Sequence, residues 1–380
     1  MKQLDLFTNL PSHIIIDILS RLPIATIIRC KFVCKPWLHL LQSHEFVAHH
    51  LSTSAPALAV THHDYTSSSS QIIFYEFQDD HLHLEHHHLH YNPLITINFE
   101  LPYNKITQGS VNGFLFLRDL NVRPNALYIC NPITREYTKI HTPQEFNYTY
   151  PQVVTFGFGS SRVSSQHKVV RVFHECIRDQ DTYKVLAIPK SECHVYTLGA
   201  GSWRSVLPPS APMLHSCRSI GAFLNGNLHW LVFDLDYKPM ISCFDLETEL
   251  FSTFSAPQIH RGRFLVDVFA LGDCLCVCDN SSDDEIVVWL MKEYGVDKSW
   301  TKEYVINKTG DLSGECYEVV RPIKVFKDGD VLMAWGEFSL CYYSNKMKNI
   351  NMFAGDVDSI LHTPTFLSLR SFGMENVSSF

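Results

Sequence analysis

Histidine and cysteine are the side chains whose spacing here most invites a chemical reading. The run HLHLEHHHLH carries His81, His83, His86, His87, His88 and His90, with His62 and His63 shortly before it. Neutral imidazole is a common metal ligand, and alternating histidines could meet along one strand edge. Neither a cysteine nor a second carboxylate cluster accompanies the run, so it reads as a solvated hairpin, with no metal or cofactor expected. Cys274, Cys276 and Cys278 alternate in LGDCLCVCD, which sets three thiols on one face of a strand. Cys30 and Cys34 stand one helical turn apart. None of the twelve cysteines falls in paired C-x-x-C spacing, so buried thiols are expected rather than a zinc knuckle. FGFG at 156 to 159 lacks the third glycine of a dinucleotide loop and sits among strand-forming residues, which makes it a strand edge. G-x-S-x-G, H-E-x-x-H and Walker patterns are missing, so no catalytic residue is assigned and an enzyme is not expected.

Composition narrows the field. Of the 380 residues, 46% are hydrophobic and 18% charged, as in a folded chain with a large core. The formal charge of −8 offers no general attraction to nucleic acid or anionic lipid. No stretch approaches a membrane span, and the opening MKQLDLFTNLP is unlike a signal peptide, so a cytoplasmic or nuclear location is expected. The N-x-S/T triplets at Asn147, Asn280, Asn307 and Asn376 matter only on secretion and carry no weight.

Two textures divide the chain. In LPSHIIIDILSRLPIATIIRCKFVCKPWLHLLQSHEFVAHHL, Ile14, Ile18 and Leu22 form one row of a helical stripe, and Ile15 with Leu19 the next. Pro23 interrupts the pattern, Ile24, Ile27 and Ile28 resume it, and Pro36 suits the first turn of a third helix carrying Trp37, Leu38, Leu40 and Leu41. Three short helices show more apolar side chains than they can share, which implies a partner surface or a cap on the chain's own larger unit. After the polar LSTSAP at 51 to 56, short runs such as KVVRVF, YKVLAI, EIVVWLM and DVLMAW recur between turn signals, as in an all-β unit.

The turns repeat. Asn112-Gly113 precedes Asn131-Pro132-Ile133-Thr134 by 19 residues, and Asn225-Gly226 precedes Asp245-Leu246-Glu247-Thr248 by 20. Gly272-Asp273 and Gly329-Asp330 open two further copies. Residues 52 to 380, at roughly 40 to 50 per blade, make about six or seven propeller blades, of which six is favoured. The run FLSLRSF at 366 to 372 is the expected closing strand, and Trp203, Trp230, Trp289, Trp300 and Trp335 are expected at comparable places between blades.

The opening Leu10-Pro11, the Ile18-Leu19 pair, Leu22-Pro23, Val33-Cys34-Lys35, Trp37 and Phe46 resemble the F-box in order and spacing. GSVNGFLFL, NPITREY, FGFG with HKVVRVF, VYTLGAGSWRSV, FLNGNLHWLVFD, ISCFDLETELF and IVVWLMKEYGVDKSWTKEYVI resemble the F-box-associated, kelch-like domain of the large plant F-box group. The resemblance implies an F-box at 4 to 51, a propeller at 52 to 380 with its own core, and a non-catalytic substrate receptor of a cullin ubiquitin ligase. It further implies contact with a Skp-type adaptor, and through it a cullin, by Leu10, Pro11, Ile14, Ile15, Ile18, Leu19, Leu22, Pro23, Val33, Cys34 and Trp37. An unidentified protein target would bind connecting segments at one propeller face, with 119 to 125, 144 to 151, 209 to 218 and 234 to 239 as candidates. The alternatives are an adaptor-bound regulator or scaffold outside any ligase, and a metal-binding propeller enzyme.

Overall fold

The computed structural model describes residues 10–63, 70–75, 77, 95–99, 105–119, 126–143, 152–181, 184–209, 214–215, 220–259, 265–308, 318–336, 339–374 and 376–379. The histidine run from 81 to 90 lies outside them. Four helices come first, one more than expected: α1 (Ser12–Ser20), α2 (Ile24–Cys30), α3 (Lys35–Leu41) and α4 (His44–Thr53). Pro11 and Pro23 stand immediately before α1 and α2, and Pro36 occupies the first turn of α3, where its missing N–H is no loss. The unforeseen α4 is capped by Ser43, whose hydroxyl accepts from the Phe46 N–H at 3.2 Å. Only Phe46, Val47 and His50 of this helix are buried, too thin a stripe to stand out in sequence.

Everything after the helices is strand and turn. The first sheet holds β1 (Ala57–His63), β2 (Ser70–Tyr75) and β3 (Ile95–Phe99), and the second β4 (Lys105–Val111), β5 (Phe114–Asp119), β6 (Ala126–Asn131) and β7 (Glu136–Ile140). Next come β8 (Gln152–Ser160), β9 (His167–Arg178), β10 (Val185–Thr197) and β11 (Trp203–Val206). Parallel pairing of Ile220 with Phe156 and Gly221 with Gly157 joins these to β12 (Leu214–His215), β13 (Ile220–Leu224), β14 (Asn227–Phe233), β15 (Pro239–Asp245) and β16 (Phe251–Ser255) in one nine-stranded sheet. The last two four-stranded sheets are β17 (Val266–Leu271), β18 (Cys274–Asp279), β19 (Glu285–Met291) and β20 (Trp300–Asn307), then β21 (Val320–Val325), β22 (Val331–Trp335), β23 (Ser339–Ser344) and β24 (Asn349–Gly355). β25 (Val357–His362) returns to pair with β1, and β26 (Val377–Ser379) pairs with β7. This up-and-down succession, with the last long strand completing the first sheet, is propeller-like.

Closure therefore runs through Val357–His362 and not through FLSLRSF. Residues Leu369–Phe372 form a 3-10 turn, with Ser368 capping the Arg370 N–H and Gly373 at φ 72° ending it. Asn131 and Glu136 satisfy the backbone of this segment, so it needs no strand partner.

The hairpin turns carry the backbone strain that the sequence announced. Asn112 and Gly113 have φ of 50° and 84°, and Asn225 and Gly226 have 53° and 78°, as a two-residue primed turn demands. The second turn of a unit repeats another device. Asn131 Oδ1 accepts from Ile133 N–H, and Asp245 Oδ1 accepts from the N–H groups of Glu247 and Thr248. Arg135, Glu249 and Lys348 then take left-handed φ of 58°, 60° and 54°.

Glu249 also holds two cations. It accepts from Lys168 Nζ at 2.9 Å and from the Arg204 guanidinium, while Lys168, only 4% exposed, also donates to Leu246 O. Glu249→Ala leaves that ammonium buried without its counter-charge and is expected to lower stability by about 3–5 kcal/mol. Lys168→Met in the same chain should restore much of the loss, both read by urea unfolding. Additive losses would mean that the two side chains act independently.

Neighbouring sheets are stapled at their outer strands. Trp203 Nε1 donates to His141 O at 2.6 Å, and Trp300 Nε1 donates to Ser255 O at 2.9 Å, each opening a fourth strand and reaching the preceding unit. Trp230 and Trp335 are buried in second strands and Trp289 lies in a third, so the five tryptophans occupy three kinds of place and not one. FGFG is likewise no strand edge. β8 pairs with β9 and with β13, and a Cβ at Gly157 would meet Leu228 and Trp230 at 2.8 Å, so glycine there admits the next unit's core. Cys276 and Cys278 are buried together with Cys341 in one core, their thiols pushed up by burial. Among the described residues no group of three or more His, Cys, Asp or Glu side chains could hold a metal ion.

Candidate functional site

The four helices divide their apolar residues between two faces. On α1, Ile16 and Leu19 point inward at 4% and 2% exposure, while Ile14 and Ile18, four residues apart, face solvent at 38% and 43%. Asp17 beside them pairs with Arg21 at 2.8 Å and lies 3.8 Å from His49 Nε2 on α4. α2 turns Ile24, Ile27 and Cys30 inward, and α3 buries Leu41. Between α2 and α3 the chain displays Phe32 at 78% and Val33 at 64% exposure.

The inward face does not make a separate helical core. Ile16, Leu19, Ile24, Ile27, Cys30, Leu41 and Phe46 share one cluster with Ala59, Ile72 and Phe74 of the first sheet, Leu115, Leu117, Tyr128 and Cys130 of the second, and Phe366. The expected independence of the two parts is thereby corrected. Apolar faces of short helices and of the first two sheets bury each other, because neither has enough partners alone.

The eleven side chains expected to meet an adaptor divide accordingly. Pro11, Ile14, Ile18, Pro23, Val33 and Cys34 are exposed, while Leu10, Ile15, Leu22 and Trp37 are half-buried, the last three against the shared core. Leu19 is buried in that core, so its part is packing and not adaptor contact. Phe32, the most exposed aromatic side chain of the helices, was missed. Its signal was an aromatic residue between Lys31 and Val33 in a stretch too short to be periodic, and Lys31 Nζ lies 4.9 Å over its ring.

At the propeller-like part the two ends differ. Because strands alternate in direction, the turns joining first to second and third to fourth strands emerge together. Glu247, in the turn before β16, accepts from Val163 N–H at 3.1 Å and Ser164 N–H at 3.0 Å in the turn after β8, so these turns of adjacent units share an end. Ile133, in the turn before β7, sits in the core shared with the helices, which places the helices at this end. The flanking strands of all four candidate target segments end at the opposite side. Of these, 234 to 239 is a built turn: Asp234 Oδ1 accepts from Asp236 and Lys238 N–H, and the Tyr237 hydroxyl accepts from Val185 N–H at 3.1 Å. Residues 120–125, 144–150, 210–213 and 216–219 lie outside the described residues.

An F-box domain model matches residues 7–49, and the model of the F-box associated beta propeller domain matches residues 61–353. The chain belongs to the F-box proteins that carry this F-box associated beta propeller domain. It is 27% identical over 370 residues to the F-box protein At3g07870 of Arabidopsis thaliana, covering 89% of this chain and 86% of that one. Similarity to the Arabidopsis thaliana F-box protein CPR1 is also 27% over 370 residues, covering 90% and 84%. The F-box/kelch-repeat protein At3g23880 of the same plant is 26% identical over 351 residues, covering 88% of each chain.

Proposed function

We propose that this chain is the substrate receptor of a cullin-type ubiquitin ligase, bridging a Skp-type adaptor and a protein target that is then ubiquitinated and degraded. The observation that carries the reading is the split helical unit, whose inner face is consumed by the propeller while Ile14, Ile18, Phe32 and Val33 remain outward at an F-box. Apolar side chains held on rigid helices suit a dry protein contact. The mechanism is proximity. A receptor that holds the target and the ligase together raises the effective concentration of target lysines near the charged conjugating enzyme, and no residue of the receptor takes part in bond making.

The propeller in this reading has six blades: β25 with β1–β3, β4–β7, β8–β11, β13–β16, β17–β20 and β21–β24. Four-strand units of this kind, with β25 closing the ring, support that count. The target takes the end opposite the helices, where the longer connections leave the strands. The protein works in the cytoplasm or nucleus, where cullin ligases act.

Affinity capture of the tagged chain from plant tissue with the proteasome blocked tests the reading. Adaptor and cullin should co-purify, together with a protein whose abundance rises when the receptor is depleted. Capture without adaptor would sink the proposal. Adaptor without cullin, and a bound protein unaffected by depletion, would make the chain an adaptor-bound regulator instead.

A further inference from the structure

After β25 the chain does not leave the propeller. Residues 363–374 cross the end that also carries the helices, and their contacts fall on three separate parts of the molecule. On the helical side, Pro364 O lies 3.1 Å from His50 Nε2 of α4. A carbonyl can only accept, so Nε2 carries the proton and Nδ1 accepts from the Ser54 hydroxyl at 2.9 Å. The Phe46 ring stacks on His50 and meets Phe366 edge to face at 6.4 Å. Phe366 is 3% exposed and belongs to the cluster that holds Ile16 and Leu19.

On the second sheet the same segment is bound by two buried side chains. Asn131 Nδ2 donates to Thr365 O at 3.0 Å and Leu367 O at 2.8 Å. Glu136 accepts from Ser368 Oγ at 2.9 Å and from Leu369 N–H at 2.8 Å. The approach is close enough that a Cβ on Gly113 would come within 1.8 Å of Thr365 Cγ2. At the third part, the turn before β11, a Cβ on Gly199 would lie 2.4 Å from Phe372 O. The segment thus rests on the propeller at three turns and touches the helices at one joint.

The covalent link between the helices and β1 is only Ser54–Pro56, and a linker of that kind sets no angle. We propose that residues 363–374 are a splint that fixes the orientation of the F-box helices on the propeller, with His50 and Phe366 as the joint. The division of contacts supports this. Asn131 and Glu136 anchor the splint to the propeller without help from the helices, so loosening the joint frees the helices while leaving the sheets intact. The consequence for ubiquitin transfer rests on the receptor reading above: an adaptor held at a fixed angle defines which target lysines come within reach.

Spin labels carried by non-natural residues at the exposed His39 of α3 and Asp273 of the turn after β17 report that angle in the full-length chain. The unaltered protein should give one narrow distance distribution. His50→Ala with Phe366→Ala should broaden it at least about twofold, with adaptor affinity kept within about threefold. His50→Gln, which can still donate to Pro364 O, should restore the narrow distribution in the chain that keeps Phe366. In a reconstituted ligase the loosened chain should spread ubiquitin over more of its own lysines. Should the double variant fail to fold, His50→Ala alone decides. A distribution unchanged from the unaltered protein in a folded variant overturns the splint. Broadening in a protein whose unaltered form captures no adaptor leaves the splint standing and removes the ligase reading instead.

Discussion

Ile18→Asp is expected to abolish capture of a Skp-type adaptor while the chain remains folded. Ile18 faces solvent at 43% exposure on α1, so an aspartate is tolerated in the free protein. In the complex it would bury an unpaired carboxylate at a dry apolar contact, a loss of about 3–5 kcal/mol or more than a hundredfold in affinity. Phe32→Ala should weaken binding by about 1–3 kcal/mol, since large aromatic side chains carry much of the energy at such contacts. Leu19→Asp is the contrasting change. It places the charge in the core shared with the first two sheets and should destabilise the helices themselves. Calorimetric titration of purified adaptor into each variant, beside thermal unfolding, separates the two outcomes. Adaptor affinity for Ile18→Asp within threefold of the unaltered chain would move the contact away from α1.

Acid is expected to unfold this protein well before its carboxylates titrate in bulk. Burial lowers His167, His174 and His229 to about 4 and His362 to about 3, so the fold holds all four neutral. His229 shows why. Its Nδ1 lies 3.1 Å from Ala222 O and its Nε2 2.7 Å from the Tyr294 hydroxyl, an arrangement in which the second nitrogen accepts, and protonation would remove that acceptor. A base whose folded value is depressed contributes stability that is present above its unfolded value of about 6.5 and is lost as pH falls toward its folded value.

Between pH 7 and pH 5 each such histidine withdraws about 2 kcal/mol. Asp267 works the other way. Burial raises it to about 7, so its contribution is complete below its ordinary range and fades as pH rises through 7. It returns roughly 2 kcal/mol over the same interval, leaving a net loss of roughly 6 kcal/mol, comparable to the whole stability of a typical domain. Urea midpoints measured from pH 7.5 to 4.5 should fall steeply below pH 6. His362→Phe should flatten the curve, because an apolar ring of similar size has no proton to gain. A flat profile across that range would mean that these imidazoles are not held neutral by the fold.

Much of the architecture was legible because its signals are local. A proline before a helix, an apolar stripe, and Asn-Gly between alternating strands each act through neighbouring backbone angles, and α1, α2, α3 and the turns at Asn112 and Asn225 lie where those signals stand. The ordered set from Leu10 to Phe46 likewise pointed to the F-box, since its residues are close in sequence. What sequence alone could not supply was the side on which each apolar residue ends. Ile14, Ile16, Ile18 and Leu19 are alike in type, yet two face outward and two join the propeller core, because the choice depends on sheets a hundred residues away.

The same reason hid the closing strand and the splint. Val357–His362 and FLSLRSF are both short apolar runs, and local propensity does not rank them. Tertiary structure decided it: β1 offers Val357–His362 a free strand edge, whereas Asn131 and Glu136 already satisfy the backbone that follows. The sequence by itself determined which elements form and what kind of protein they make. Packing between segments more than three hundred residues apart, such as His50 on Pro364, determined how the helices sit on the propeller, because no local angle encodes a contact over that separation.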